Sequence, residues 1–204
     1  MQNEYLIKAI SGKQEMFFDL CDNKLGLGDG VDEKDGKYAF WVGFAVFHVV
    51  RDDIDCEIER LEKAAEIQGV WFDVSNIQDD DGNILEITDM VDTDAFNAIT
   101  ALVRSQIYRK GIPIDSDFMP PFICYLGKIY VEPHFRNKGL GNFIFRNIGE
   151  ISRSCLSAPL GWTVIYPENE DTTELSRMIK VIKKNGYKKI NGGFYVKNYA
   201  ADDD

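Results

Sequence analysis

Arg136, Lys138, Gly139 and Gly141 sit together in the run Arg136-Asn137-Lys138-Gly139-Leu140-Gly141. Cations beside glycines suit one kind of chemistry, the holding of a large anion. Gly139 and Gly141 have no Cβ, so a phosphate can come close to the backbone there. Arg136 and Lys138 add fixed positive charge. The case is completed if a helix starts at this point. The first N–H groups of a helix lack intrahelical partners, and the macrodipole places roughly half a positive charge there.

The flanking residues supply that geometry. Ile123 to Val131 is an apolar, β-branched and aromatic run, long enough for a buried strand. Pro133 ends it, having no N–H to give. Beyond the glycines, Leu140, Phe143, Ile144, Ile148 and Ile151 recur at helical spacing. The loop therefore joins a strand's end to an amphipathic helix's start. A plain connection of this kind needs neither two glycines nor a flanking arginine.

Strand, proline, Arg-x-x-Gly-x-Gly loop and helix, in this order, resemble the coenzyme A loop of the GNAT superfamily of N-acetyltransferases. That family's consensus is Gln or Arg, two variable residues, Gly, one variable residue, then Gly or Ala. The resemblance covers about residues 122 to 196 and implies an α/β fold. Its central sheet would be mixed and mostly antiparallel, flanked by helices, with two splayed central strands. It also implies one domain over residues 1–204: a variable acceptor-side half at 1–121, a coenzyme A-binding half at 122–197 and a tail at 198–204.

The implied activity is transfer of an acetyl group from acetyl-CoA, as cosubstrate and without a metal, to an amine. The acceptor would be a small molecule or a protein N-terminus or lysine. By position, Ile129 and Val131 would face the pantetheine arm, which binds in the splay as a pseudo-strand. Arg136 and the amides from Asn137 through Lys138, Gly139, Leu140 and Gly141 to Asn142 would hold the pyrophosphate. An alkylammonium, with a pKa of roughly 10, must lose a proton before it attacks. Glu132, directly after the strand, is the first choice of base, with Glu86 and Asp73 behind it. The oxyanion would take an N–H, that of Val131. The leaving thiolate needs an acid. The family commonly places a tyrosine four residues before the Gly-aromatic pair ending the late helix. Here that pair is Gly186-Tyr187 and the position holds Ile182. Tyr166, at the end of the next strand, is the substitute. The departure motivates an alternative reading, a non-catalytic acyl-CoA-binding GNAT-like protein.

The totals narrow the classes. A net charge of −11 disfavours nucleic acid as a partner. It suits a cationic acceptor. There is no apolar run of 18 residues to cross a membrane, and Met1 to Lys13 lacks the pattern of a secretion signal. The cysteines, Cys21, Cys56, Cys124 and Cys155, are scattered, and only His48 and His134 are available beside them. No zinc or redox motif can be read. A cytoplasmic monomer or homodimer with reduced thiols is the expectation.

In chain order, Asn3–Ile10 and Gly12–Cys21 read as short helices, Ser11 and Gln14 forming a capping box. Residues 23–37 read as a glycine-rich loop, and Tyr38–Val50 as one long or two short buried strands with Gly43 as a bulge or bend. Arg51–Gln68 reads as a helix stopped by Gly69. The stretch around Asp79-Asp80-Asp81-Gly82 reads as a β-hairpin, Asp94–Lys110 as one helix and residues 111–121 as a loop. Trp162–Tyr166 reads as a strand, Thr172–Asn185 as a helix stopped by Gly186, and Tyr187–Val196 as a closing hairpin.

Overall fold

A computed structural model describes residues 5–11, 14–19, 24–25, 39–51, 58–79, 83–111, 122–158 and 160–199. Among the described residues nine strands form one sheet: β1 (Tyr5–Ser11), β2 (Gln14–Asp19), β3 (Lys24–Leu25), β4 (Ala39–Arg51), β5 (Ile58–Asp73), β6 (Phe122–Val131), β7 (Leu160–Ile165), β8 (Lys188–Lys189) and β9 (Tyr195–Asn198). The sheet order is β3-β2-β1-β4-β5-β6-β7-β9-β8. Every neighbouring pair is antiparallel except β6 and β7, which run parallel. This is the mixed, mostly antiparallel sheet flanked by helices that the resemblance implied.

Helices cover both faces. The long helix α5 (Leu140–Leu156) and α6 (Thr172–Lys184) pack on one side; α1 (Val74–Asp79), α2 (Ile84–Val91), α3 (Thr93–Val103) and α4 (Gln106–Gly111) pack on the other. In α5, Leu140, Ile144, Ile148, Ile151 and Cys155 form the buried stripe, the periodicity an amphipathic helix needs. Opposite it, Trp71 of β5 donates Nε1–H to Ser152 Oγ at 2.8 Å, and Ser152 Oγ donates to the Ala158 carbonyl at 2.6 Å. The buried Trp71 Nε1–H and Ser152 hydroxyl are thereby satisfied in series.

Several sequence expectations give way. The two N-terminal helices are strands β1 and β2, and the supposed capping pair Ser11 and Gln14 are cross-strand partners. The cause is β4, a long apolar strand with two edges to fill: β1 takes one and β5 the other. The segment read as a helix from Arg51 to Gln68 is strand β5 over its described part, Ile58 onward. Glu, Lys, Ala and Gln favour a helix by only tenths of a kcal/mol each. That preference loses to a position bonded on both sides, with Ala65, Ile67 and Trp71 facing one core and Val70 and Phe72 the other. Gly43 is not a bulge, because it pairs in register with Gln68; the shifts fall at Val46/Phe47 and Val50/Arg51.

The expected hairpin after Trp71 is instead the end of β5 followed by α1 and α2. Each helix starts on a polar cap. Asp73 Oδ1 accepts the Asn76 N–H at 3.0 Å and Asn83 Oδ1 accepts that of Leu85 at 3.0 Å, the role short polar side chains play at helix starts. The single helix predicted over Asp94–Lys110 breaks into α3 and α4, where Ser105 Oγ accepts the Tyr108 N–H at 3.1 Å. Residues 80–82, 112–121 and most of the glycine loop lie outside the described residues. The later half follows expectation: β6, α5, β7, α6 and the β8–β9 pair stand where predicted, and Gly186 has the left-handed φ of +86°.

Candidate functional site

The parallel pair β6 and β7 is zipped only part of the way. Its register runs from Phe122↔Leu160 to Leu126↔Ile165 and stops. β6 continues to Val131, bonded among the described strands to β5 alone. At the parting point Leu126 and Lys128 pair with the adjacent residues Gly69 and Gln68, leaving Gly127 as an extra residue. Such a bulge bends a strand and raises its twist. It also resets the alternation, so that Leu126, Ile129 and Val131 all face the α5–α6 core despite their odd spacing. The glycine inside the apolar run was the available sign of this bend.

Backbone parity follows from one bond. Glu132 N–H donates to the Ala64 carbonyl at 2.9 Å. In an antiparallel ladder alternate residues point their backbone groups at the partner. Tyr130 and Lys128 therefore share the direction of Glu132, toward β5. Ile129 and Val131 point their N–H and C=O the other way, into the space β7 has left. Arg136 Nε donates to the Val131 carbonyl at 3.0 Å, and its guanidinium carbon lies 5.6 Å from the Tyr130 ring centre. The arginine is thus pinned beside the splay with other donors to spare.

After β6 the chain makes a 3-10 turn, Pro133–Phe135, and then reaches the loop. Asn137 and Gly139 both take left-handed φ, +60° and +86°. Gly139 is the residue before the first turn of α5, and no side chain caps that turn. The two glycines differ. Gly139 is required by its φ. Gly141 is helical without a positive φ, and a Cβ there would meet nothing within 4 Å. The protein's own packing does not demand the missing side chain at Gly141. Of the other loop residues, Leu140 is buried and offers only its amide, while Asn137 and Lys138 are exposed. Lys138 Nζ lies 5.1 Å over the Phe135 ring. Asn142 Oδ1 accepts from Asn185 Nδ2 at 3.0 Å, tying the start of α5 to the end of α6.

A cavity of about 900 Å3 opens at the splay. Leu126 to Ile129 and Ile165 line its throat. Met178 of α6 borders it from one side of the sheet; Asp94, Asn97, Thr100, Ala101 and Arg104 border it from the α3 side. The opening therefore reaches both faces. Tyr166 lines it too, 45% exposed, its ring 5.2 Å from that of Phe194. Ile129 and Tyr166 thus meet at one cavity. Glu132 stands at the far end of β6 and does not line it, nor do Glu86 and Asp73, the latter being engaged as a cap. The carboxylates that do line it are Asp94 and Glu168, neither singled out from sequence. Ile182, at the position where the resemblance expects tyrosine, is fully buried.

Tyr125 is the second tyrosine in the cavity wall. It lies on β6 one residue before the last zipped pair, facing the α1–α4 core. Burial, then the charges of Asp94, Asp92 and Glu168, push its phenol up to about 12. The group stays protonated through neutral pH and serves as a donor, not a base. Among the described residues no His, Cys, Asp and Glu side chains gather as a metal cluster, and no helix is long and apolar enough to cross a membrane.

No protein-family model matches the chain, and no curated protein matches it in sequence. Among solved structures it is similar to Arabidopsis thaliana NAA60 in complex with acetyl-CoA, at 13% identity and a TM-score of 0.43, over 78% of this chain and 76% of that one. It is similar to a mutant of KacT at 11% identity and a TM-score of 0.41, over 83% and 76%. It is also similar to the Drosophila melanogaster polyamine N-acetyltransferase, at 10% identity and a TM-score of 0.38, over 76% and 74%.

Proposed function

We propose that the protein transfers an acetyl group from acetyl-CoA to an amine. The observation that supports this most is the splay of β6 from β7 with the uncapped start of α5 at the end of the same strand. In this reading the pyrophosphate rests on the amides of Leu140, Gly141 and Asn142, with Arg136 beside it. The pantetheine amides bond to the outward backbone groups of Val131 and Ile129, by the logic of an added strand. The thioester then reaches the cavity at Gly127.

There the neutral amine attacks the thioester carbon. The C–N bond forms, the carbonyl electrons move onto oxygen, and the C–S bond breaks as the tetrahedral intermediate collapses. Ile129 borders the cavity and Val131 does not, so the Ile129 N–H is assigned to the oxyanion and Val131 to pantetheine. Asp94 or Glu168 receives the ammonium proton, in place of Glu132, which lies away from the cavity. Tyr166 gives its proton to the thiolate and recovers one from solvent. The non-catalytic alternative draws on Ile182, whose burial removes that position from any chemistry.

The test is calorimetry with acetyl-CoA on the wild type and on Gly141→Val. A valine there meets open space in the protein but intrudes on a phosphate. Binding should weaken more than about tenfold, ~1.4 kcal/mol, with the thermal midpoint nearly unchanged. Equal affinity in the two proteins removes the coenzyme from this loop. Thiol release from acetyl-CoA with a panel of amines then separates catalysis from binding alone.

A further inference from the structure

The α3 wall of the cavity is polar and it is ordered by charge. Asp94, Asn97, Ala101 and Arg104 border the cavity at the spacing of one helix face. Asp94 lies in the first turn of α3, and Arg104 is its C-terminal cap. Ten residues at 1.5 Å each separate their backbones by about 15 Å. Glu168 strengthens the acidic end, since Asp94 and Glu168 both act on the Tyr125 phenol. The cavity is therefore negative at one end and positive at the other.

Among the described residues the charges of this wall are not paired off. Lys128, the other cation bordering the cavity, is engaged with Glu66 at 3.4 Å. Among the described residues Asp94, Glu168 and Arg104 form no ion pair. Tyr125 adds an independent sign of a missing partner. It is 7% exposed and borders the cavity, and no described residue hydrogen-bonds its hydroxyl; Thr100, in the same wall, has a buried Oγ1 without a hydrogen-bond partner among the described residues. A buried hydroxyl left without a partner, as at Thr100, costs about 1–3 kcal/mol, a cost that a polar ligand relieves.

We propose that the acceptor is a bipolar molecule, its reactive amine held at Asp94, Glu168 and the Tyr125 hydroxyl, and an anionic group at its other end held by Arg104. This rests on the reading of the cavity as the acceptor chamber of an acyl transfer. A monoamine would leave the guanidinium unused. A diamine would bring a second cation toward it, which like-charge repulsion disfavours. A carboxylate offers the guanidinium a bidentate partner. The chemical class is thus an amine and a carboxylate separated by an extended chain, as in a straight-chain ω-amino acid.

The experiment measures binding and turnover separately, on the full chain with coenzyme A present. The probes are a series of straight-chain ω-amino acids, with the alkylamine and the diamine of each chain length. The expected result is an optimum length at which the amino acid binds about tenfold tighter than either counterpart. R104Q should erase that advantage, and R104K should restore part of it. Y125F should weaken every probe. Equal binding of amino acid and alkylamine, tightest binding of the diamine, or a preference that survives R104Q each overturns the proposal. So does a failure of every probe to bind. If the amino acids bind with the stated preference and no acetyl group moves, the bipolar site stands and the catalytic reading falls.

Discussion

The two halves of β6 behave as different materials. From Phe122 to Leu126 the strand is bonded to β5 on one side and β7 on the other, and Ile123 to Leu126 are buried. From Gly127 to Val131 it is bonded on one side only, and Gly127, Lys128 and Tyr130 are exposed. The first half holds the fold together. The second leaves the outward backbone groups of Ile129 and Val131 without a partner strand among the described residues. One bulged residue separates them, and in the proposed reading a continuous strand serves stability in one half and binding in the other.

Glycines on each side sharpen the contrast. Gly69 faces the root of the zip, where a Cβ would fall 2.6 Å from the Tyr125 carbonyl oxygen and 2.9 Å from Trp71 Cζ3. Backbone on one side and a buried indole on the other cannot give way cheaply. Gly69→Ala should destabilise by about 1–3 kcal/mol or more, seen as a fall of several degrees in thermal midpoint. An unchanged midpoint would mean the root is loosely packed. Gly141→Val should do the reverse, lowering coenzyme affinity while sparing the fold.

The zipped half should also show in alkaline unfolding. The Tyr125 phenol is raised to about 12 in the folded chain, against roughly 10 when unfolded. The folded state keeps its proton longer. The stability is therefore intact below pH ~10 and drains as pH rises toward about 12, by at most ~2.7 kcal/mol from this group. Tyr125→Phe should flatten that part of the curve. Burial raises Tyr187 and Cys155 in the same direction, so a slope remains. Superimposable curves for wild type and variant would show that Tyr125 is not buried as described.

A smaller effect is expected at the open half. Tyr166→Phe should lower kcat about tenfold, ~1.4 kcal/mol, with little change in coenzyme affinity. If kcat survives, Tyr166 only packs against Gly193 and Phe194, and the thiolate leaves unassisted.

The open half was the more legible in sequence. Its signals are local: a proline after an apolar run, two glycines, then a helical stripe. The residues that border the cavity from α3 were not legible, because Asp94 and Arg104 look like ordinary helix-surface charges until the fold sets them against the splay. Strand β5 was misread for a related reason. Its composition favours a helix, and only the neighbours β4 and β6 decide otherwise. The caps Asp73, Asn83 and Ser105 were local signals that went unread.

Amide-resolved hydrogen exchange, with and without acetyl-CoA, tests the central claim most directly. The account predicts that the coenzyme slows exchange at Ile129 and Val131 and at Leu140 to Asn142. The amides of Ile123 to Leu126, already bonded within the sheet, should change little. Protection that misses Ile129 and Val131, or coenzyme that leaves all of these amides unchanged, would contradict it.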